Sequence, residues 1–328
     1  MSNSLTEFLV RRLVSFVFML FFLLTAIFVL FRVMPGDPTA MLVSGRLTEE
    51  SRQAMLENFG LNRPLHEQYI VFIRNVLQGD FGISFFYREP VADVIFPSLV
   101  NTLMIMLPAL TLVMIIAYFW GSVVGWNKGT ALDRWGTYIP VSLRAVPHFI
   151  LGLGLLIVFS YNLGWLPTGG MGPIGGADKS VLERLTSPTF YKYAALPFTT
   201  ALLHYIADPM MLMRNNIIGE REKDYVELHR LKGLHPRQVR RRAARNSMLP
   251  LLTWLTPMIG IAFGGQILIE VVFSWPGIGR ELVLAAQRQD MPVAQAAFFM
   301  VAVIVLLTNL VVDLAYGYFD PRISYGKT

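Results

Sequence analysis

Cysteine is absent from this 328-residue chain, so disulfides, thiolate nucleophiles and cysteine-ligated metals are excluded. Charge is scarce as well, at 15% of residues against 54% hydrophobic, a balance foreign to an ordinary soluble domain. The five histidines (His66, His148, His204, His229 and His235) are scattered, and no pair has zinc-ligand spacing. Phosphate loops are missing too: GSVVGWNK from Gly121 and GGADKS from Gly175 both fail the G-x-x-x-x-G-K-[ST] spacing, so no nucleotide site is recognisable. No nucleophile elbow or H-E-x-x-H helix occurs, and no period of twenty to fifty residues marks a solenoid.

What is present is apolar length. Six stretches, about 10–31, 98–126, 137–161, 194–213, 248–273 and 293–317, are each long enough to cross a hydrocarbon core of about 30 Å. Asp208-Pro209 interrupts the fourth. An even number of crossings puts both ends on one side, and basic residues choose which. Arg11, Arg12, Lys128, Arg134, Arg322, Lys327 and the arginines from Arg214 to Arg245 mark the termini's side as cytoplasmic. The net charge of +6 maps onto those loops, so it needs no nucleic acid to explain it. The first stretch reads as a start-transfer anchor, because its apolar run is too long for a cleaved signal and no small-x-small site follows.

The chain therefore reads as an all-α integral membrane protein of six transmembrane helices. Residues 1–31 carry the N-terminus and first span, and 32–97 form a helical extracytoplasmic segment. Residues 98–319 form a five-span core containing a cytoplasmic loop at 214–247, and 320–328 a cytoplasmic tail. Within 32–97, Thr48, Glu49 and Glu50 start one helix that Gly60 stops. Pro64 opens another, whose Leu65, Tyr69, Phe72, Ile73, Val76 and Leu77 form one apolar face ending at Gly79. That face is expected to pack against the bundle rather than lie on the membrane surface. Residues 162–192, rich in glycine and proline, are expected to be irregular turns. SWPGIG at 274–279 cannot be a regular span; Phe273 and Trp275 place it at interfacial depth, as a re-entrant turn, a gate or a surface loop.

The loop DYVELHRLKGLHPRQVRRRAARNSMLP, Asp224 to Pro250, has the grammar helix, glycine, helix. Leu228, Leu231 and Leu234 recur at helical spacing, with Asp224 as N-cap. Gly233 suits a left-handed stop, and Pro236 suits a second helix's first turn. Lipid attraction explains Arg240, Arg241, Arg242 and Arg245, but not that grammar. Charged residues inside spans are candidates for function or for pinning the bundle: Asp208, Asp313 and Arg144 with His148, while Glu270 sits near a span end. An ion relay through such carboxylates would make the chain a secondary transporter. Gly121 with Gly125, and Gly260 with Gly264, allow close helix approach.

YVELHRLKGL followed by RNSMLPLL resembles the cytoplasmic E-A-A loop of permeases in ATP-binding-cassette importers, in the dipeptide/oligopeptide/nickel branch. MPGDP at 34–38, FGLNRPLHEQY with QGDFG at 59–82, VFSWPGIG at 272–279 and YFDPRISYG at 318–326 agree in order. The resemblance implies a multi-pass permease of the bacterial inner membrane that performs no chemistry on its solute. It implies a second permease, two ATPase subunits that hold ATP and Mg, and an extracytoplasmic solute-binding protein. Short peptides are the expected solutes. Carried over, the ATPase-coupling residues are Tyr225, Val226, Arg230, Lys232, Gly233 and Leu234, with Asn246, Leu249 and Pro250 closing the motif. Glu227, His229 and Leu231 depart from the family pattern and imply a differently shaped ATPase groove. Pro35, Gly36 and Asp37, with Pro276, Gly277 and Gly279, are the candidate gate or binding-protein dock.

Overall fold

The computed structural model describes residues 2–33, 63–173, 175 and 180–319. The expected helix at 48–60, Pro35, Gly36, Asp37, the tail from 320 and the side chain of Asp313 lie outside the described residues. All regular elements among the described residues are helical. They are α1 (Ser2–Val33), α2 (Leu65–Leu77), α3 (Val91–Trp126), α4 (Ala131–Ala145) and α5 (His148–Leu155), which runs on into a π-helix (Leu156–Asn162). Then follow α6 (Val181–Leu185), α7 (Pro188–Tyr205), α8 (Ala207–Arg221), α9 (Asp224–Leu231), α10 (Pro236–Asn246), α11 (Met248–Val272), α12 (Ile278–Arg288) and α13 (Met291–Phe319).

Among the described residues, Val10–Arg32, Val91–Trp126 and Met291–Val312 are each long and apolar enough to cross a membrane alone. Two bent pairs raise the number to five if each is one span: α4 with α5 and its π extension, bent by 99°, and the two parts of α11, bent by 50°. The fourth apolar stretch is not among them. It divides into α7 and α8 at Ile206, two residues ahead of the Asp208-Pro209 pair, with Asp208 and Pro209 inside the first turn of α8. Proline is tolerated there because a first-turn N–H has no intrahelical acceptor. The sharp bend after α4 has a local cause. Val146 precedes Pro147 and is pushed to an extended conformation (φ −79°, ψ 127°), which ends the helix.

The chain divides into two compact units. One holds α1, α2, α3 as far as Val100, α12 and α13 as far as Leu310. Here Leu24, Ile27 and Phe299 are buried, and Phe72, Ile73 and Val76 of α2 pack against them. The Tyr69 hydroxyl lies 2.7 Å from that of Thr25, so the apolar face of α2 packs on the helices as expected. Leu65 and Leu77, at its edges, stay exposed.

The other unit runs from Asn101 to Pro276, and its core joins α3, α7 and α11 through Met106, Leu110, Leu196, Tyr205, Met258 and Phe273. Gly121 and Gly125 bring α3 against α8 with almost nothing between. A Cβ at Gly121 would sit 2.8 Å from the Met210 carbonyl oxygen, and one at Gly125 2.5 Å from that of Arg214. The second small pair behaves differently, for Gly264 has open space beside it. Residues 163–173 are irregular as expected, but Ser180 caps a short helix, α6, with Glu183 closing a capping box.

Candidate functional site

The hairpin α9–α10 is built as its sequence demands, with one shift at the start. Lys223, not Asp224, is the N-cap; Asp224 is the first helical residue, where its charge suits the helix dipole. α9 ends at Leu231, and Gly233 takes φ +74°, the left-handed region that glycine enters without strain. Pro236 opens α10, capped by the His235 ring accepting from the Arg237 amide and by Gln238 reaching back to the His235 amide.

The helical spacing of the leucines leaves open which residues of α9 are buried. Val226 is fully buried, among Val239, Ala243 and Ala244 of α10 and Met213 and Ile217 of α8. Leu234 packs at the edge of that cluster. Leu228 and Leu231 are instead 48% and 79% exposed, among exposed Glu227, Arg230 and Lys232. A helix with leucines turned outward has an unsatisfied apolar face.

A polar knot ties the hairpin down. Glu220, buried at the end of α8, accepts from the Tyr225 hydroxyl at 2.7 Å and pairs with Lys223 at 2.6 Å. The Asn246 side chain hydrogen-bonds to both Glu220 and Tyr225. Burial alone would raise the Glu220 carboxyl, but its bonds to Lys223, Tyr225 and Asn246 outweigh that and hold it below the ordinary 4.5. Tyr225, through burial first and its bond to Glu220 second, is pushed up to about 12. Arg230 lies over the Trp126 ring at 5.7 Å, and Arg221 donates to the Trp126 carbonyl at 2.7 Å. The structure thus joins Tyr225 with Asn246, and Val226 with Leu234. Leu249 and Pro250 start α11, outside the knot, and Glu227, Leu231 and Lys232 point away. Glu220, Lys223 and Trp126 are the members that sequence reasoning missed, because nothing in their local pattern marks them.

SWPGIG is no surface loop, for Phe273 and Trp275 are buried in protein. The Trp275 indole donates to the Asn101 carbonyl at 2.9 Å, and the Asn101 amide donates to the Pro276 carbonyl at 2.8 Å. Arg184 donates to Asn101 Oδ1 at 3.0 Å, and Gly170 N–H to the Phe273 carbonyl at 2.8 Å. Gly277 is the extended N-cap of α12 and Gly279 lies buried in its first turn.

The QGDFG motif opens a tight hairpin that periodicity did not reveal. Gly79 and Gly82 have φ +77° and +81°, and Ile83 pairs with Pro90. Asp290, buried between α12 and α13, accepts from the Ser84 hydroxyl and from the amides of Phe85 (3.2 Å) and Phe86 (3.1 Å). The Tyr87 hydroxyl donates to Glu281 at 2.8 Å and accepts from Arg288 at 2.7 Å, while Arg288 covers the Phe86 ring at 3.9 Å.

Of the intramembrane candidates, two meet. Arg144 Nε donates to Asp208 Oδ2 at 3.2 Å, and its Nη1 lies 2.9 Å from His204 Nε2. The His148 and His204 rings are 5.0 Å apart. Glu270 is fully buried and accepts from Thr102 at 2.5 Å. No cluster of three or more metal-binding side chains occurs among the described residues.

An all-α body with several helices long and apolar enough to cross a membrane, and a helical hairpin presenting outward leucines, has the architecture of an integral membrane component. The chain belongs to the family of binding-protein-dependent transport system inner membrane components, whose model matches residues 117–325. A companion model for the N-terminal part of such components matches residues 5–106. Members are permeases whose ATP hydrolysis belongs to separate subunits, so the chain is not itself an enzyme. Among curated relatives, the oligopeptide transport system permease protein AppB of Bacillus subtilis (strain 168) is 31% identical over 323 residues, 98% of this chain and 100% of that protein. The glutathione transport system permease protein GsiC of Escherichia coli (strain K12) is 31% identical over 320 residues, 97% of this chain and 99% of that protein.

Proposed function

We propose that this chain lines one half of the path of an ATP-driven importer for small peptides. Relatives that transport oligopeptides and glutathione support the solute class. In this reading six spans cross the bacterial inner membrane, counting α7 and α8 as one broken span, and both termini face the cytoplasm. A second permease completes the path, an extracytoplasmic binding protein delivers the solute, and two partner ATPases hold ATP and Mg. Pro35, Gly36, Asp37, Pro276, Gly277 and Gly279 belong to the gate or dock.

The observation that carries the reading is the hairpin's two-sidedness. Val226 anchors α9 inward, while Leu228 and Leu231 offer an apolar face rimmed by Glu227, Arg230 and Lys232. Such a face suits a groove on a partner ATPase, with His229, Lys232, Gly233 and Leu234 fixing its tilt. Closure of the ATPases then moves α9 as a rigid body, and α8 passes that displacement into the bundle. Asn246, Leu249 and Pro250 hold the exit from the hairpin.

Gly233→Asp tests this reading in the assembled complex. Left-handed backbone is strained for aspartate, and a carboxylate arrives on the docking side. Subunits should still co-purify, while ATP-driven peptide uptake should fall at least about tenfold, equivalent to about 1.4 kcal/mol of lost coupling. Uptake at the unmodified rate would remove the hairpin from the mechanism.

A further inference from the structure

Two helix interruptions meet at one place. α4 ends beside Arg144 and α5 begins at His148; α7 ends just after His204 and α8 begins just before Asp208. α4 packs on α7 and α8, α5 packs on α7, and α7 packs on α8. Every charged or imidazole side chain of this cluster therefore sits within two residues of a helix end. Broken helices are tolerated at membrane depth where they are buried in protein or line a water-filled cavity.

The Arg144–Asp208 pair is not sealed. Their side chains keep 36% and 43% exposure. Arg144 Nη2 and Asp208 Oδ1 have no protein partner among the described residues. A half-open ion pair is costly against hydrocarbon, so its open side looks onto water. Guanidinium is the side chain best shaped to hold a carboxylate through two parallel hydrogen bonds.

We propose that Arg144 is a way-station for the carboxylate of the passing solute, with Asp208 as its resting counter-ion. The inference rests on the peptide-importer reading and adds a recognition element inside the permease itself. An arriving carboxylate takes the Nε–Nη2 edge of Arg144, displacing Asp208 from Nε. When the solute leaves, Asp208 closes back, so the guanidinium never stands alone at depth. Competition from Asp208 also keeps the solute's stay short, which a conducting site requires. His204 holds the other Nη group of Arg144 in register.

The test uses the complete transporter in proteoliposomes, with trialanine and its C-terminal amide as probes. The binding protein is the same throughout, so any change in the acid-to-amide uptake ratio belongs to the permease. Arg144→Gln should lower that ratio about tenfold, the worth of one charge-assisted hydrogen bond. Asp208→Asn should leave the ratio unchanged or raise it, because it removes the competitor. If the pair only latches helices or packs against the second permease, both variants lower uptake of both probes alike, and the proposal is overturned. Should Arg144→Gln fail to co-purify with its partners, Arg144→Lys decides: a ratio lowered about threefold, the cost of losing the fork but keeping the charge, supports the way-station, and an unchanged ratio overturns it. A wild-type complex that carries neither probe would instead sink the peptide-importer reading, and the way-station with it.

Discussion

Asp290 and Glu220 are both buried acids that gather donors, and they differ in what they gather. Asp290 takes two backbone amides and one hydroxyl from a single hairpin, Ser84 to Phe86. Glu220 takes side chains: the Tyr225 hydroxyl, the Lys223 ammonium and the Asn246 amide, from three points along the α8–α10 segment. Backbone donors cannot turn away without moving the chain, so the Asp290 cluster fixes one shape. Side-chain donors can rotate and re-pair, so the Glu220 knot is the more yielding of the two. The same carboxylate chemistry thus makes a rivet in one place and a softer tie, the hinge side of the contrast, in the other.

That contrast can be broken most forcefully at Asp290. Asp290→Ala leaves two amides and a hydroxyl without an acceptor in a buried setting, an expected loss of about 3 kcal/mol from about 1–3 kcal/mol per orphaned group. The melting temperature of the purified protein should drop by several degrees; an unchanged value would mean that the hairpin is held by something else. Next in size is Leu231→Ala. Because Leu231 is 79% exposed, the chain's own stability should move by less than about 0.5 kcal/mol. ATPase subunit affinity, measured by titration of the purified partners, should weaken about tenfold, or about 1.4 kcal/mol. A stability loss without an affinity loss would place Leu231 inside the protein.

Tyr225→Phe sharpens the hinge side. Removing one hydroxyl from the Glu220 knot should cost about 1 kcal/mol and raise amide exchange in α9, while the Ser84–Phe86 hairpin keeps its protection. The smallest effect follows from pH. Glu220 has its folded value held below the ordinary 4.5, so it contributes stability above that value and loses it as pH falls through the lowered one. Protease cleavage between α9 and α10 should therefore accelerate on acidification below about pH 4.5, and Glu220→Gln should flatten that dependence. Equal acid sensitivity in the variant would assign the effect to another carboxylate.

How much of this was legible depended on distance along the chain. Gly233, Pro236, Gly79 and the packing face of α2 could be read because caps, turns and amphipathic faces are local. The Asp290 cluster could not, since Ser84 lies 206 residues away and no periodicity spans that gap. The meeting of Arg144 with Asp208 is of the same kind, 64 residues apart, although each had been singled out as a costly charge. The leucine spacing of α9 was legible as helical, but it did not show that Val226 would be buried and Leu228 and Leu231 exposed. Hydrophobic spacing reports that a face exists, not which body covers it. The 99° bend was written in Val146-Pro147 but hidden by the apolar continuity around it.

The bare glycine seam at Gly121 and Gly125 has a mechanical corollary. With the α3 backbone seated directly on Met210, Met213, Arg214 and Ile217, no compliant layer separates the two helices. Under the coupling proposed above, a displacement of α8 would reach α3 with no side-chain layer to absorb it. A methyl group at Gly125 would act as a spacer, letting the input shaft turn while the output lags.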